Sequence, residues 1–444
     1  MIIINDDLWE THSAKIPCRT IFVALLYYLE NNSYLCKKLY FMAKIRVRNF
    51  GPIQDNNQWI EIGKVTVFTG NQGSGKSTVA KLISTFEWIE KSLIRGDHDV
   101  RYYQRKLRFK NNFLTYHRIQ NYLKDNTEIE YVGTSYKFKF SNYSLDISEI
   151  SHDVDTDLPQ IMYVPAERNF LTYIETFKEL KVTSPSLREF RDEYKIAQKN
   201  IKGSYSLPVD NTSLEYDRQN DILHLRGKNF KVRISEASSG YQSLVPLYIV
   251  SMNLARSVRE GSAQSAMTEE ERDRYKKLVS EIINNDNLSV DQRTAAISAL
   301  SGRFTKTAFI NIVEEPEQNL FPVTQWDMLC SLLEISNMGD GNRLIMTTHS
   351  PYIINYLTLF VKAWVLCDKA DSQEKRDQLN SIVPINSLID PKKLFVYEFD
   401  GKTGTYKLLE TYNGLLSDEN FLNNSLADTN DRFAELLDVE DRWQ

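Results

Sequence analysis

The chain has 444 residues, of which 42% are hydrophobic and 25% charged, and a formal net charge of −5. That length and balance support a large buried core, about three domains' worth of chain, and exclude a disordered segment or a small disulfide-stapled scaffold. The slightly acidic total excludes polyanion binding by the whole surface, leaving local basic patches, and four cysteines (Cys18, Cys36, Cys330, Cys367) without metal-ligand spacing read as reduced thiols of a cytoplasmic protein.

From the N-terminus, residues 21–29 are apolar but too short to span a bilayer. Acidic residues precede them and no small-residue cleavage site follows, so they do not read as a secretory signal. The expectation is a short packed helix in an extension, 1–41, of unclear role. The main domain is expected to start at Met42, just before Lys44-Ile45-Arg46-Val47-Arg48, with 1–41 an appendage or an upstream start. Residues 44–69 alternate as two or three strands around the turn Gly51-Pro52. The last, 64–69, reads as a buried strand. Gly70-Asn71-Gln72-Gly73-Ser74-Gly75-Lys76-Ser77-Thr78 follows it and opens a helix reaching about Arg95.

Residues 101–124 have a helical pattern in which Arg101, Arg105, Lys106, Arg108 and Lys110 interleave with Tyr102, Tyr103, Phe113 and Tyr116. Two readings stand: a grip for single-stranded nucleic acid, or an amphipathic helix with a solvated basic face. A β-meander is expected over 128–148 and a buried strand over 160–164, ending in Pro165-Ala166-Glu167-Arg168. Arg168 reads either as a phosphate or partner contact or as a surface salt-bridge residue. A charged helical region (170–203) and two strands (221–225, 230–235) lead to Ala237-Ser238-Ser239-Gly240-Tyr241-Gln242-Ser243 and an apolar helix, 244–254. A polar helical insertion over 260–303 precedes a strand over 309–313 that ends in Glu314-Glu315-Pro316-Glu317. A helix from about Thr324 and a strand over 343–347 lead to Thr348-His349-Ser350-Pro351, and one more strand pair follows at 394–399 and 405–409.

The run 70–78 fits G-x-x-x-x-G-K-[ST], with the strand in front and helix behind that a phosphate-binding P-loop requires. Its glycines let successive N–H groups turn inward as an anion nest at a helix N-terminus. Lys76 is placed to reach β- and γ-phosphates and the Ser77 hydroxyl to hold Mg²⁺. Ser238-Ser239-Gly240 is a second small-residue turn heading a helix. Glu314 and Glu315 end a strand and point to opposite sides, so one can serve Mg²⁺ while the other orients an attacking water. His349 follows another buried strand, within reach of a γ-phosphate. Singly these are an ordinary turn, a solvated strand end and a structural histidine; their order behind a P-loop makes them a constellation.

In that order the chain resembles the ABC-type ATPase superfamily. Residues 70–78 match its Walker A, Ala237–Gln242 its signature motif, Ile310–Glu315 its Walker B with catalytic glutamate, and His349 its switch histidine. The wording Tyr163-Val164-Pro165-Ala166-Glu167-Arg168, Glu314-Glu315-Pro316-Glu317-Gln318-Asn319-Leu320-Phe321-Pro322 and Thr348-His349-Ser350-Pro351 resembles the OLD-like branch. That branch includes the ATPase subunits of anti-phage systems such as Septu, whose ATPase partners an HNH nuclease. The resemblance implies an α/β fold: an ABC-type (SMC/OLD-like) P-loop ATPase head with a mixed central sheet, a β-subdomain and helical insertions. The ATPase domain would span 42–400, with a helical and β insertion at 97–158 and a helical one at 260–303, and the tail 401–444 would pack on it.

The resemblance further implies ATP and Mg²⁺ as cofactors. Gly70, Asn71, Gln72, Gly73, Ser74, Gly75, Lys76, Ser77 and Thr78 would bind nucleotide, and Ser77 and Glu314 would hold the metal. Glu315 and His349 would be catalytic. Ser238, Ser239, Gly240 and Gln242 would serve the nucleotide of a neighbouring subunit. Glu167 stands where the superfamily has its Q-loop glutamine. The implied partners are a second copy, head to tail, in a dimer or assembly of dimers, and a co-encoded nuclease, HNH type favoured. Nucleic acid is a possible ligand, and no membrane is involved. Two other functions fit the same fold: an SMC-like DNA-repair or DNA-tethering ATPase, and a nucleotide-sensing scaffold without turnover.

Overall fold

Strand β1 (Ala43–Phe50) buries Ile45 and Val47 and leaves Lys44, Arg46 and Arg48 part-exposed, the alternation of a half-buried strand. It pairs antiparallel with β2 (Ile60–Ile62), whereas β3 (Val65–Gly70) is buried throughout. Helix α1 (Lys76–Arg95) follows and stops at Gly96, whose φ of 75° supplies the left-handed cap. Strands β4 (Leu123–Val132), β5 (Tyr136–Ser141) and β6 (Ser144–Glu149) complete the antiparallel sheet β2-β1-β4-β5-β6. Arg46–Glu130 (2.7 Å) and Arg48–Glu128 (2.6 Å) are its cross-strand pairs. The computed structural model describes residues 42–54, 56–150, 158–173, 184–261, 269–285, 288–302, 304–412 and 414–443; the short helix expected in 1–41 lies outside them.

Strand β7 (Pro159–Val164) and helix α2 (Pro185–Asn200) lead to a small antiparallel sheet of β8 (Ser204–Ser206), β9 (Ser213–Asp217), β10 (Ile222–Arg226) and β11 (Lys231–Arg233). Helix α3 (Ser239–Arg259) follows, then α4 (Glu269–Ile283) and α5 (Val290–Gly302) of the polar insertion. Strand β12 (Ala308–Glu314), α6 (Pro322–Asn337), β13 (Arg343–Thr348), α7 (Pro351–Cys367), β14 (Leu394–Asp400) and β15 (Thr405–Leu408) complete the core. The central sheet runs β15-β14-β3-β13-β12-β7, parallel except for the antiparallel edge strand β15. Its inner strands are continuous apolar runs because both faces are covered. Val67, Val313 and Met346 face α3, α6 and α7 on one side; Phe68, Ile312 and Ile345 face α1 and the antiparallel sheet on the other. The mixed sheet, β-subdomain and helical insertions expected from the sequence are present.

Two expectations need correction. Residues 101–124 are not one helix: Val100–Gln104 is helical, Phe109–Leu114 forms a π-helical turn, and β4 begins at Leu123. Leu107 (φ 63°) and Arg118 (φ 59°) sit in the left-handed region, which no helix can pass through. Packing drives the break, since it buries Phe109 at 5.4 Å from the Phe86 ring. The tail after 401 packs through Tyr406, Leu409, Leu416, Asn420 and Leu422, and the Phe421 N–H donates to Glu398 (2.6 Å). Its last helix, α8 (Phe421–Trp443), buries no residue and exposes Leu426, Phe433, Leu436 and Trp443.

Candidate nucleotide-binding site

Strands β3, β13 and β12 are parallel neighbours, so the segments leaving their C-terminal ends meet at one rim. In open α/β sheets that rim is where ligands bind. The P-loop leaves β3, Glu315 follows β12 and His349 follows β13. Two glycines shape the loop. Gly70 (φ 134°) passes so close to β14 that a Cβ there would lie 2.1 Å from the Phe399 carbonyl oxygen. Gly75 (φ 106°) caps α1 in a conformation that any side chain would strain.

Within the loop Ser74, Lys76 and Thr78 are buried, Ser77 is half-buried, and Asn71, Gln72 and Gly73 form an exposed lip. Lys76 Nζ donates to the carbonyl oxygens of Gly70 (2.8 Å) and Asn71 (2.7 Å). Burial pulls its pKa down to about 8, opposed by the charges of Glu315 and Glu317. The ammonium thus sits among loop carbonyls, facing the carboxylates of the neighbouring strand end.

The adjacent carboxylates Glu314 and Glu315 occupy different surroundings. Glu314 is buried; its Oε2 accepts from the Ala166 N–H (3.2 Å), and Lys81 Nζ stands 3.5 Å from its Oε1. The Tyr163 hydroxyl faces it too, held well above its usual pKa by burial and by that carboxylate. Glu315 is half-exposed and holds a φ of 44°, rare for a side chain of its length. Its N–H donates to the Thr347 carbonyl (2.9 Å). His349 Nε2 lies 3.7 Å from Glu315 Oε1. Burial first, and the Lys76 charge second, hold the imidazole below its usual pKa, hence neutral near pH 7.

Glu317 steadies this histidine. Its Oε1 accepts from the His349 N–H (2.7 Å) and the Thr348 hydroxyl (2.8 Å), while its Oε2 is buried without a hydrogen-bond partner. Burial raises its pKa. The sequence reading passed over Glu317 and Lys81. Lys81 had a usable signal, one helical turn beyond Ser77 on the same face of α1.

Ser238 and Ser239 are exposed at the head of α3, with Gly240 half-buried beside them. A Cβ on Gly240 would lie 3.1 Å from the Asn319 carbonyl oxygen. Gln242 is turned inward: it is buried, and its Nε2 donates to the Ser235 carbonyl (2.9 Å). It therefore braces the turn before α3 rather than lining the exposed head. Glu167 is exposed on the 3-10 turn after β7. Arg168 meets neither expectation. It is fully buried, and its guanidinium donates only to backbone carbonyls: Glu314 (2.7 Å), Glu315 (2.7 Å), Ser243 (3.0 Å) and Pro165 (3.3 Å).

No protein-family model and no curated protein matches the sequence. Solved structures do. The chain is similar to the SMC head domain from Thermotoga maritima, at 10% identity and a TM-score of 0.35, over 84% of this chain and 99% of that one. It is similar to a dimeric ATP-binding cassette in a post-hydrolysis state bound to ADP and Pi (12%, TM-score 0.28, 83% and 100%). It is also similar to the recombination mediator protein RecF (10%, TM-score 0.29, 83% and 98%). At these values the case for the site rests on its own geometry. No helix among the described residues is long and apolar enough to cross a membrane.

Proposed function

We propose that this chain binds ATP with Mg²⁺ and hydrolyses it. The observation that carries the reading is the meeting of Lys76, Glu314, Glu315 and His349 at one rim of three adjoining parallel strands, behind a loop shaped for phosphates. The loop amides and Lys76 bind the phosphate chain. Ser77 and Glu314 would hold Mg²⁺; a carboxylate has about four acceptor sites, so Glu314 keeps lone pairs beyond its contacts with the Ala166 N–H, Lys81 and Tyr163. Mg²⁺ when bound spreads the charge of the β- and γ-phosphates. Glu315, half-exposed at the rim, takes the proton of the attacking water. Neutral His349 donates a hydrogen bond toward the γ-phosphate. Calorimetric ATP titration of wild type against Lys76→Ala tests the assignment: binding should be lost in the variant, and equal affinity would refute it.

The same reading makes hydrolysis a property of two chains, with the exposed Ser238-Ser239-Gly240 turn of one completing the site of another, head to tail. ATP then closes a clamp and hydrolysis opens it. The wording of the motifs supports an anti-phage role in which this clamp governs a co-encoded nuclease of HNH type, with Glu167 in the Q-loop position. An SMC-like DNA-tethering ATPase is the competing reading. It is separated by a simple dependence: ATP turnover that needs DNA and no protein partner favours tethering.

A further inference from the structure

The Pro165–Arg168 turn, whose Ala166 N–H meets Glu314, also holds a fully buried arginine that the chemistry above does not use. A buried cation without a carboxylate bonded to it is costly unless fixed dipoles surround it. Here four N–H bonds go to carbonyl oxygens of three separate segments: the turn after β7, the end of β12 and the first turns of α3. We infer that Arg168 is a positioning residue that ties the head of α3 to the backbone of Glu314 and Glu315, so that the composite-site turn and the hydrolytic carboxylates move as one piece. The inference rests on the ATPase reading given above.

The geometry says why an arginine does this. Its planar fork presents five donors at fixed angles and can span three chain segments, where an ammonium is a point charge. Glu315 is held from both sides in its left-handed conformation, its N–H on Thr347 and its C=O on Arg168. The Ser243 carbonyl, one turn beyond Ser239, takes the Nε–H. A second tie runs beside it: Asn319, on the turn after Glu317, donates from Nδ2 to the Ser243 hydroxyl (2.9 Å). Ser243 is thus gripped twice, at its carbonyl by Arg168 of the turn after β7 and at its hydroxyl by Asn319 of the segment after β12. A displacement of α3 when a second subunit closes on Ser238 is passed to Glu315 without crossing the nucleotide.

The test uses the full-length protein with Arg168→Lys, Arg168→Gln and the milder surface change Asn319→Ala. ATP affinity is read by calorimetry, turnover by phosphate release, and backbone opening by hydrogen exchange at 239–247 and 314–318 without nucleotide. The expected result is an ATP Kd within about threefold of wild type, a kcat lower by roughly 10- to 100-fold for both Arg168 variants, and faster exchange in both segments together. Asn319→Ala should give the same pattern more weakly. Wild-type kcat in Arg168→Lys would reduce the residue to its charge and overturn the inference. So would unchanged exchange, or a Kd that rises in step with the loss of kcat. Should wild type neither bind nor hydrolyse ATP, the ATPase reading fails by itself, and the exchange comparison still decides the tie.

Discussion

Adjacent residues at a strand end receive different chemistry from their surroundings. Glu314 is enclosed by Lys81, Tyr163 and the Ala166 N–H, while Glu315 turns to the rim beside His349. Glu315→Gln should therefore leave ATP binding intact and slow hydrolysis by roughly 10²–10⁴-fold, the usual worth of a positioned base. Glu314→Gln should instead weaken Mg²⁺-dependent binding, read by ATP titration with and without Mg²⁺. The reverse pattern would exchange the two roles. These residues were legible in the sequence because a strand, its terminal carboxylates and the P-loop are local patterns. Arg168, Lys81, Glu317 and Asn319 were not legible as a set. Their partners lie far along the chain, and several of those partners are backbone carbonyls, which any residue type provides.

Between elements, one join outside the rim is electrostatic. Glu271 on α4 accepts from Lys91 (3.0 Å) and Arg95 of α1 and from Lys306 (2.7 Å), all buried. The three cations hold its pKa well below the usual carboxylate range despite burial. Removing that carboxylate strands Lys91 and Lys306, while Arg95 keeps Asp97, so Glu271→Ala should cost about 3–5 kcal/mol in urea unfolding. A loss within ~0.5 kcal/mol would show that the insertion is not anchored there. Glu193 on α2 is the opposite case, raised to about 7 by burial and by Glu189, Glu271 and Asp192, with Lys91 opposing. A carboxyl raised on folding contributes stability below its unfolded pKa and loses it as pH climbs through the folded value. Glu193→Gln should thus gain up to ~3 kcal/mol over wild type at pH 8 and little at pH 4.5, measured by urea midpoints. A pH-independent difference would contradict this. The short buried runs β3 and β12, and the helix α1 opened by the P-loop, could be read in advance. The 101–124 segment could not, because Phe109 packing on Phe86 overrides its helical pattern.

At the scale of the whole molecule, one chain offers a phosphate loop and an exposed Ser238 turn, and the account requires that they belong to different subunits' sites. The proposed function gives toxic chemistry to a partner; on that proposal the purified chain incubated with plasmid, single-stranded DNA or tRNA and Mg²⁺ or Mn²⁺ should cleave none of them. Cleavage abolished by a point change in this chain would place the nuclease here instead. The most direct measurement is phosphate release from Lys76→Ala and Ser238→Arg proteins, alone and mixed in equal amounts. Each alone should be inactive, with Ser238→Arg still binding ATP, and the mixture should recover part of the wild-type rate because a mixed pair keeps one intact composite site. A mixture as inactive as its components, beside an active wild type, would contradict the shared site.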